Sequence, residues 1–183
     1  MNFLRYRPTV INFPVILRII GLLLIIEGLF LSVPLATALV YHENDWMCFL
    51  LTMVVTTVAG TIMTFGIRPR NPRMGKREGF LLTALIWVFF SIFGMIPFIF
   101  MEKQPMSVSD AFFEAMSGFT TTGATVMDSI SHLSHGIIMW RSLMQWIGGM
   151  GIILFTLAVV PMLNHSGGMQ MFNAEVTGIT HDK

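Results

Sequence analysis

A chain of 183 residues that is 54% hydrophobic and only 11% charged is not an ordinary soluble domain, where about a quarter of the residues carry charge. The net charge of +1 says little by itself, but the low charge density and the absence of a basic stripe argue against a nucleic-acid partner. The single cysteine, Cys48, rules out a disulfide within the chain.

The first apolar run, Pro14 to Tyr41, follows Arg5 and Arg7. It far exceeds the apolar core of a secretory signal, about 7–15 residues, and no small-residue cleavage site closes it. It therefore reads as a retained transmembrane helix. With 46–66, 79–101 and 137–163 it makes four stretches long enough for a hydrocarbon core that needs about 20 apolar residues. The second and third stretches hold no charge. Pro34 and Pro97 lie within or near the ends of spans and predict kinks there.

Basic residues fix the orientation. Arg5, Arg7 and Arg18 fall at the start, Arg68, Arg70, Arg73, Lys76 and Arg77 between the second and third spans, and Lys183 at the end. Only Lys103 and Arg141 are left for the other side. Four spans bring both termini to the basic side, predicted to be cytoplasmic. The loop His42 to Asp45 then faces outward. Three segments result: 1–78, a helix pair with a basic cytoplasmic loop; 79–163, a helix–loop–helix repeat; and 164–183, a polar connector that reads as cut off.

Between the third and fourth spans lies SVSDAFFEAMSGFTTTGAT, Ser107 to Thr125. Its apolar part, about 12 residues, is too short to cross a bilayer and predicts a re-entrant segment. Ser107 and Asp110 form a helix start, and Asp110 and Glu114 suit the positive end of the helix dipole. Ala111, Phe112, Ala115, Met116 and Phe119 form the face expected to pack on the flanking spans. Gly118 lets the helix end, and a Thr-rich strand centred on Gly123 follows. A strand that passes a cation must turn successive carbonyls toward an axis to replace lost water, and glycine permits the required φ values. Non-helical backbone at membrane depth survives only when buried in protein or lining a watery cavity. The expectation is one pore loop of a cation-conducting protein.

Two stretches, DAFFEAMSGFTTTGATV (Asp110 to Val126) and MWRSLMQWIGGMGIILFTLAVVPML (Met139 to Leu163), resemble the TrkH/KtrB family of potassium uptake proteins. The two spans ahead of the repeat resemble the TrkH branch. The resemblance implies an all-α integral membrane fold: two N-terminal transmembrane helices plus one helix–pore-loop–helix repeat of a potassium-channel-like transporter. It implies a selectivity filter at Thr121, Thr122, Gly123, Ala124 and Thr125, with potassium bound at Thr121 to Gly123 as the substrate and no covalently bound cofactor. Four repeats surround one pore in that family, whereas this chain has one, so it reads as part of a longer polypeptide that supplies the other three. The family further implies a bacterial inner-membrane location, a homodimer, and gating by a cytoplasmic nucleotide-binding ring such as TrkA. Two alternatives stay open: a non-conducting membrane scaffold or assembly subunit, and a sodium-coupled or sodium-permeable transporter.

The remaining charged residues carry paired readings. Glu27, within the first span, is either an ion or proton relay or a neutral acid bonded to a neighbouring helix; at mid-bilayer its charge would cost about 2.5–3.5 kcal/mol. Arg141 is expected to pair with Asp110, Glu114 or Asp128 and brace the pore loop, with Glu114 as support rather than an ion ligand. Gly148, Gly149 and Gly151 allow close helix packing or a bend in the inner helix. His132 and His135 have H-x-x-H spacing but no third ligand in view. No Ser/His/Asp set, phosphate loop or metal-ligand cluster points to an enzyme.

Overall fold

In the computed structural model, which describes residues 11–69, 76–127 and 132–153, every regular element among those residues is helical. The elements are α1 (Phe13–Phe30), α2 (Ser32–Val40), α3 (Trp46–Gly66), α4 (Lys76–Gly94), α5 (Ile96–Phe100) and α6 (Val108–Phe119). A last helix, α7, occupies 135–153.

Among the described residues, three stretches are long and apolar enough to cross a membrane: Phe13–Val40, Trp46–Gly66 and Arg77–Phe100. They match the first three expected spans. The fourth, 137–163, is helical through 153, and its remainder lies outside the described residues, as does the connector 164–183. The first span breaks at Leu31 and the third at Met95, in each case just ahead of Pro34 or Pro97. A proline has no N–H to bond the carbonyl four residues back, so the ladder opens there.

Exposed and buried surfaces are sorted by size and polarity. On α3, Met47, Leu51, Val54, Val58, Ile62 and Phe65 are exposed, while Thr52, Thr56, Gly60 and Thr64 are buried. The buried set lies against α1. A methyl group added at Gly60 would fall 2.6 Å from the Gly21 carbonyl oxygen, and one at Gly28 would collide with the Thr57 hydroxyl. Lipid tails are as apolar as leucine, so burial alone does not hold membrane helices together; small residues let the two backbones close up instead.

The broken third span positions the repeat. Phe98 donates its N–H to the Met95 carbonyl, which leaves the Gly94 carbonyl without its helical partner. The fully buried Trp140 of α7 fills that vacancy, its Nε1 donating to Gly94 at 2.9 Å. Phe119 is wedged between Phe90 of α4, with ring centroids 5.3 Å apart, and Trp140, at 6.1 Å in an edge-on contact. The end of α6 is thereby clamped between the two flanking helices.

Candidate functional site

Helix α6 begins as its sequence dictates. Ser107 caps it, its hydroxyl accepting from the Asp110 N–H at 3.2 Å and donating to the Asp110 carboxylate at 2.7 Å. This satisfies one of the free amides of the first turn. Ala111, Ala115 and Phe119 are buried as expected, whereas Phe112 and Met116 are only partly so.

The helix stops at Phe119, and residues 120–127 form neither helix nor ladder. The expected strand is therefore a lone, irregular extended segment, held from behind by side chains and by the helix end. The Met116 carbonyl accepts from the Thr120 N–H at 2.9 Å and from its hydroxyl at 2.7 Å. The Ser117 carbonyl accepts from the amides of Thr122 at 3.0 Å and Gly123 at 3.4 Å. The carbonyls that a helix end leaves open are thus met by amides of the segment itself, and this fixes where the segment starts.

Its backbone is unusual. Thr121 has φ of 58° and Gly123 of 75°, with Thr122 between them outside the positive region. Positive φ is ordinary for glycine but an outlier for a β-branched residue. Such an outlier persists only where its surroundings hold it. Alternation of handedness along an extended segment carries successive carbonyls away from the two-sided alternation of a β-strand.

Glu114 anchors the far end. Its side chain is buried, one oxygen receiving the Thr125 hydroxyl at 3.1 Å and the Val126 amide at 3.2 Å. The other meets Arg141 Nη2 at 2.5 Å. Of the three acids expected to pair with Arg141, Glu114 is the partner; Asp110 stays with Ser107 at the start of α6, and Asp128 lies outside the described residues. A buried ion pair carries a desolvation cost that only further hydrogen bonds can offset, and Thr125 and Val126 supply them.

The same face of α7 backs the rest of the segment. Gln145 Nε2 lies 3.9 Å from where a side chain at Gly123 would begin, and Gly149 faces the Thr121 methyl at the same distance. Gly148 packs so tightly on the Phe119 carbonyl that any side chain would overlap it. Gly151 points elsewhere, toward Trp87 at 3.5 Å. Between close packing and a bend, Gly148 takes the packing role, and α7 runs unbroken through all three glycines.

Ser117, missed in the sequence, completes the brace together with hydroxyls of the Thr-rich segment. Ser117 donates its hydroxyl to the Ala124 carbonyl at 2.7 Å, drawing that oxygen back toward α6. Thr120 and Thr122 share a hydroxyl contact of 2.9 Å. A buried serine one turn below a Thr-rich segment was the available signal. Residues 121–126 remain exposed, while Glu114, Ser117, Gly118 and Phe119 behind them are buried.

On the loop side, Glu43 reaches the start of α7. Its carboxylate accepts from the His135 amide at 2.7 Å, the Gly136 amide at 3.0 Å and the His135 ring at 2.8 Å, and Tyr41 stacks on that ring at 4.0 Å. Burial pushes the Glu43 carboxyl upward, but the two amides, the ring and its charge outweigh that and hold it below the usual range. His135 is thus a capping partner, and His132 is exposed beside it. No group of three or more His, Cys, Asp or Glu among the described residues is arranged to hold a metal ion.

Comparison with known proteins places this arrangement in context. A TrkH family model, described as a cation transport protein, matches residues 46–183. The chain is 39% identical over 171 residues to the Trk system potassium uptake protein TrkH of Escherichia coli K12, covering 93% of this chain and 35% of that protein. It is 35% identical over 172 residues to the TrkI protein of Halomonas elongata, covering 93% of this chain and 34% of that one. The crystal structure of the potassium transporter TrkH from Vibrio parahaemolyticus superimposes with a TM-score of 0.78 at 37% identity, over 86% of this chain and 33% of that one. The chain therefore spans about a third of the length of the relatives it matches.

Proposed function

The chain belongs to the TrkH family of cation transport proteins, and on that premise we propose that it forms the N-terminal part of a potassium uptake protein, with one of four filter segments at Thr121 to Thr125. In this reading 1–78 is a peripheral helix pair, 79–163 the first pore repeat and 164–183 the link to the next. Three further repeats of the same polypeptide complete the ring. Two such polypeptides pair in the bacterial inner membrane, with the termini of this stretch in the cytoplasm and a TrkA-like nucleotide-binding ring beneath. Potassium passes down its electrochemical gradient as the substrate, with no covalent chemistry.

The observation that carries the reading is the pair of positive φ angles at Thr121 and Gly123, directly after a membrane-embedded half-helix and braced by the Glu114–Arg141 pair. Carbonyls replace the hydration shell of a cation only if the backbone is held before the ion arrives. Ion contact falls chiefly to Thr121, Thr122 and Gly123, because Ala124 gives its carbonyl to Ser117 and Thr125 gives its hydroxyl to Glu114. Asp110, Glu114 and Arg141 support the loop, and Gly148 and Gly149 seat the inner helix against it.

Replacing Gly123 by valine in the full-length transporter tests this. The expected result is loss of potassium uptake with membrane abundance unchanged. Uptake at the wild-type rate would instead favour a scaffold role.

A further inference from the structure

Among the described residues, two buried acids lie outside the pore loop; Asp45 accepts the Glu102 amide at 2.8 Å, and Glu27 has no such bond. Its side chain is 1% exposed, and neither oxygen has a hydrogen-bond partner among the described residues. It also lines a crevice of about 560 Å³ between α1, α4 and α7, walled by Trp87 and Phe90 on one side and Trp146 and Met150 on the other. None of the other residues lining that crevice is charged. Thr83, its hydroxyl-bearing neighbour on α4, donates to the Gly79 carbonyl at 3.0 Å. The charged groups of α6 are Asp110, which is held by Ser107, and Glu114, which is paired with Arg141 of α7. On α1 itself Arg18 lies nine residues away, about 13 Å along the axis.

An ionised carboxylate with no cation, no donor and an apolar crevice before it would carry the full cost of desolvation. We propose that Glu27 is a proton-binding site within the membrane, occupied in the resting protein and reachable through the α1–α4–α7 crevice by hydrophobic carboxyl-directed molecules. The inference is independent of the potassium pathway. The site nonetheless touches the pore repeat. An atom added at Gly94 would lie 3.3 Å from Glu27 Oε1 and 2.6 Å from the Phe119 ring, so the acid sits beside the residue from which the candidate filter departs.

A hydrophobic carbodiimide reads this chemistry directly. The acid proton moves to a carbodiimide nitrogen while the carboxyl oxygen bonds to the central carbon, converting one C=N bond into C–O and N–H. The O-acylisourea formed then rearranges by O-to-N acyl transfer to a stable N-acylurea. The whole reagent is added, nothing leaves, and no oxidant is needed.

The experiment treats the full-length protein in lipid nanodiscs at pH 7 with dicyclohexylcarbodiimide or with a water-soluble carbodiimide, followed by peptide mass mapping. The expected result is one adduct at Glu27 with the hydrophobic reagent and none with the soluble one, which should instead find the exposed Glu102. Glu27→Gln should remove the adduct while leaving membrane abundance and thermal stability as in wild type, because the amide reproduces the neutral shape. Absence of an adduct at Glu27 in nanodiscs, with labelling of the same site after denaturation in detergent, would overturn the proposal. So would failure of Glu27→Gln to reach the membrane while Glu27→Asp does so normally, since that requires an ionised group.

Discussion

Thr121 holds its φ of 58° at a cost, because its branched side chain crowds the backbone in that region. Nothing in the residue type announces this; threonine is an ordinary strand former, and glycine at 123 is the position where the sequence suggests left-handed backbone. The restraint comes from elsewhere, through amides bonded to the end of α6 and the close packing of α7 on the Phe119 carbonyl at Gly148. Replacing Thr121 by glycine should therefore stabilise the fold by removing strain of about 1–3 kcal/mol, while freeing the segment and weakening potassium selectivity. Thermal unfolding in detergent and ion competition in uptake would show the two effects moving in opposite directions. The pairing of Arg141 was legible only as a choice among three acids. Distance along the chain does not reveal that Glu114, on the buried face of α6, points at the second turn of α7. Removing the charge with Arg141→Gln leaves Glu114 buried and unpaired, which typically costs about 3–5 kcal/mol. The double change with Glu114→Gln should recover a large part of that loss, as judged by the amount of folded protein in membranes.

At the scale of elements, the long apolar runs and their breaks were readable because they follow from length and from proline's missing N–H. The short helix was readable for the same reason: the twelve residues of α6 are too few to span. What holds these elements together was not. Trp140 bonding to Gly94 depends on a carbonyl freed by a break 46 residues earlier, and Glu43 caps a helix that starts 92 residues later in the chain. Such contacts carry no local signature. Placing alanine at Gly148 should drive α7 off the Phe119 carbonyl, with loss of uptake larger than for alanine at Gly151, which has ordinary room beside Trp87. The Glu43 cap makes a pH prediction. Its carboxyl lies below the usual value in the folded protein, so the stability it contributes is present above the unfolded value, near 4.5, and is lost as pH falls through the lower folded value. The protection factors of the His135 and Gly136 amides against hydrogen exchange should fall under that acidification. In Glu43→Gln the same amides should exchange faster at neutral pH and show little further change.

Over the described residues, a helix pair closed by small residues packs beside a repeat that offers an irregular, braced segment. The membrane architecture could be read from composition because lipid demands apolar length and satisfied backbone. The family could be read because the pore-loop and inner-helix stretches that carry it, Asp110 to Val126 and Met139 to Leu163, are distinctive. The individual oxygens could not, since Ser117 draws one candidate carbonyl away and Glu114 engages one candidate hydroxyl. Whether backbone oxygens from Thr121 to Gly123 discriminate the ion is decided by rubidium and sodium flux measured side by side in proteoliposomes of the full-length transporter, wild type against Gly123→Ser. Strain of about 1–3 kcal/mol at a positive-φ position predicts a roughly fivefold or greater fall in the preference for rubidium over sodium. An unchanged preference, with the serine protein folded and conducting, would contradict the account.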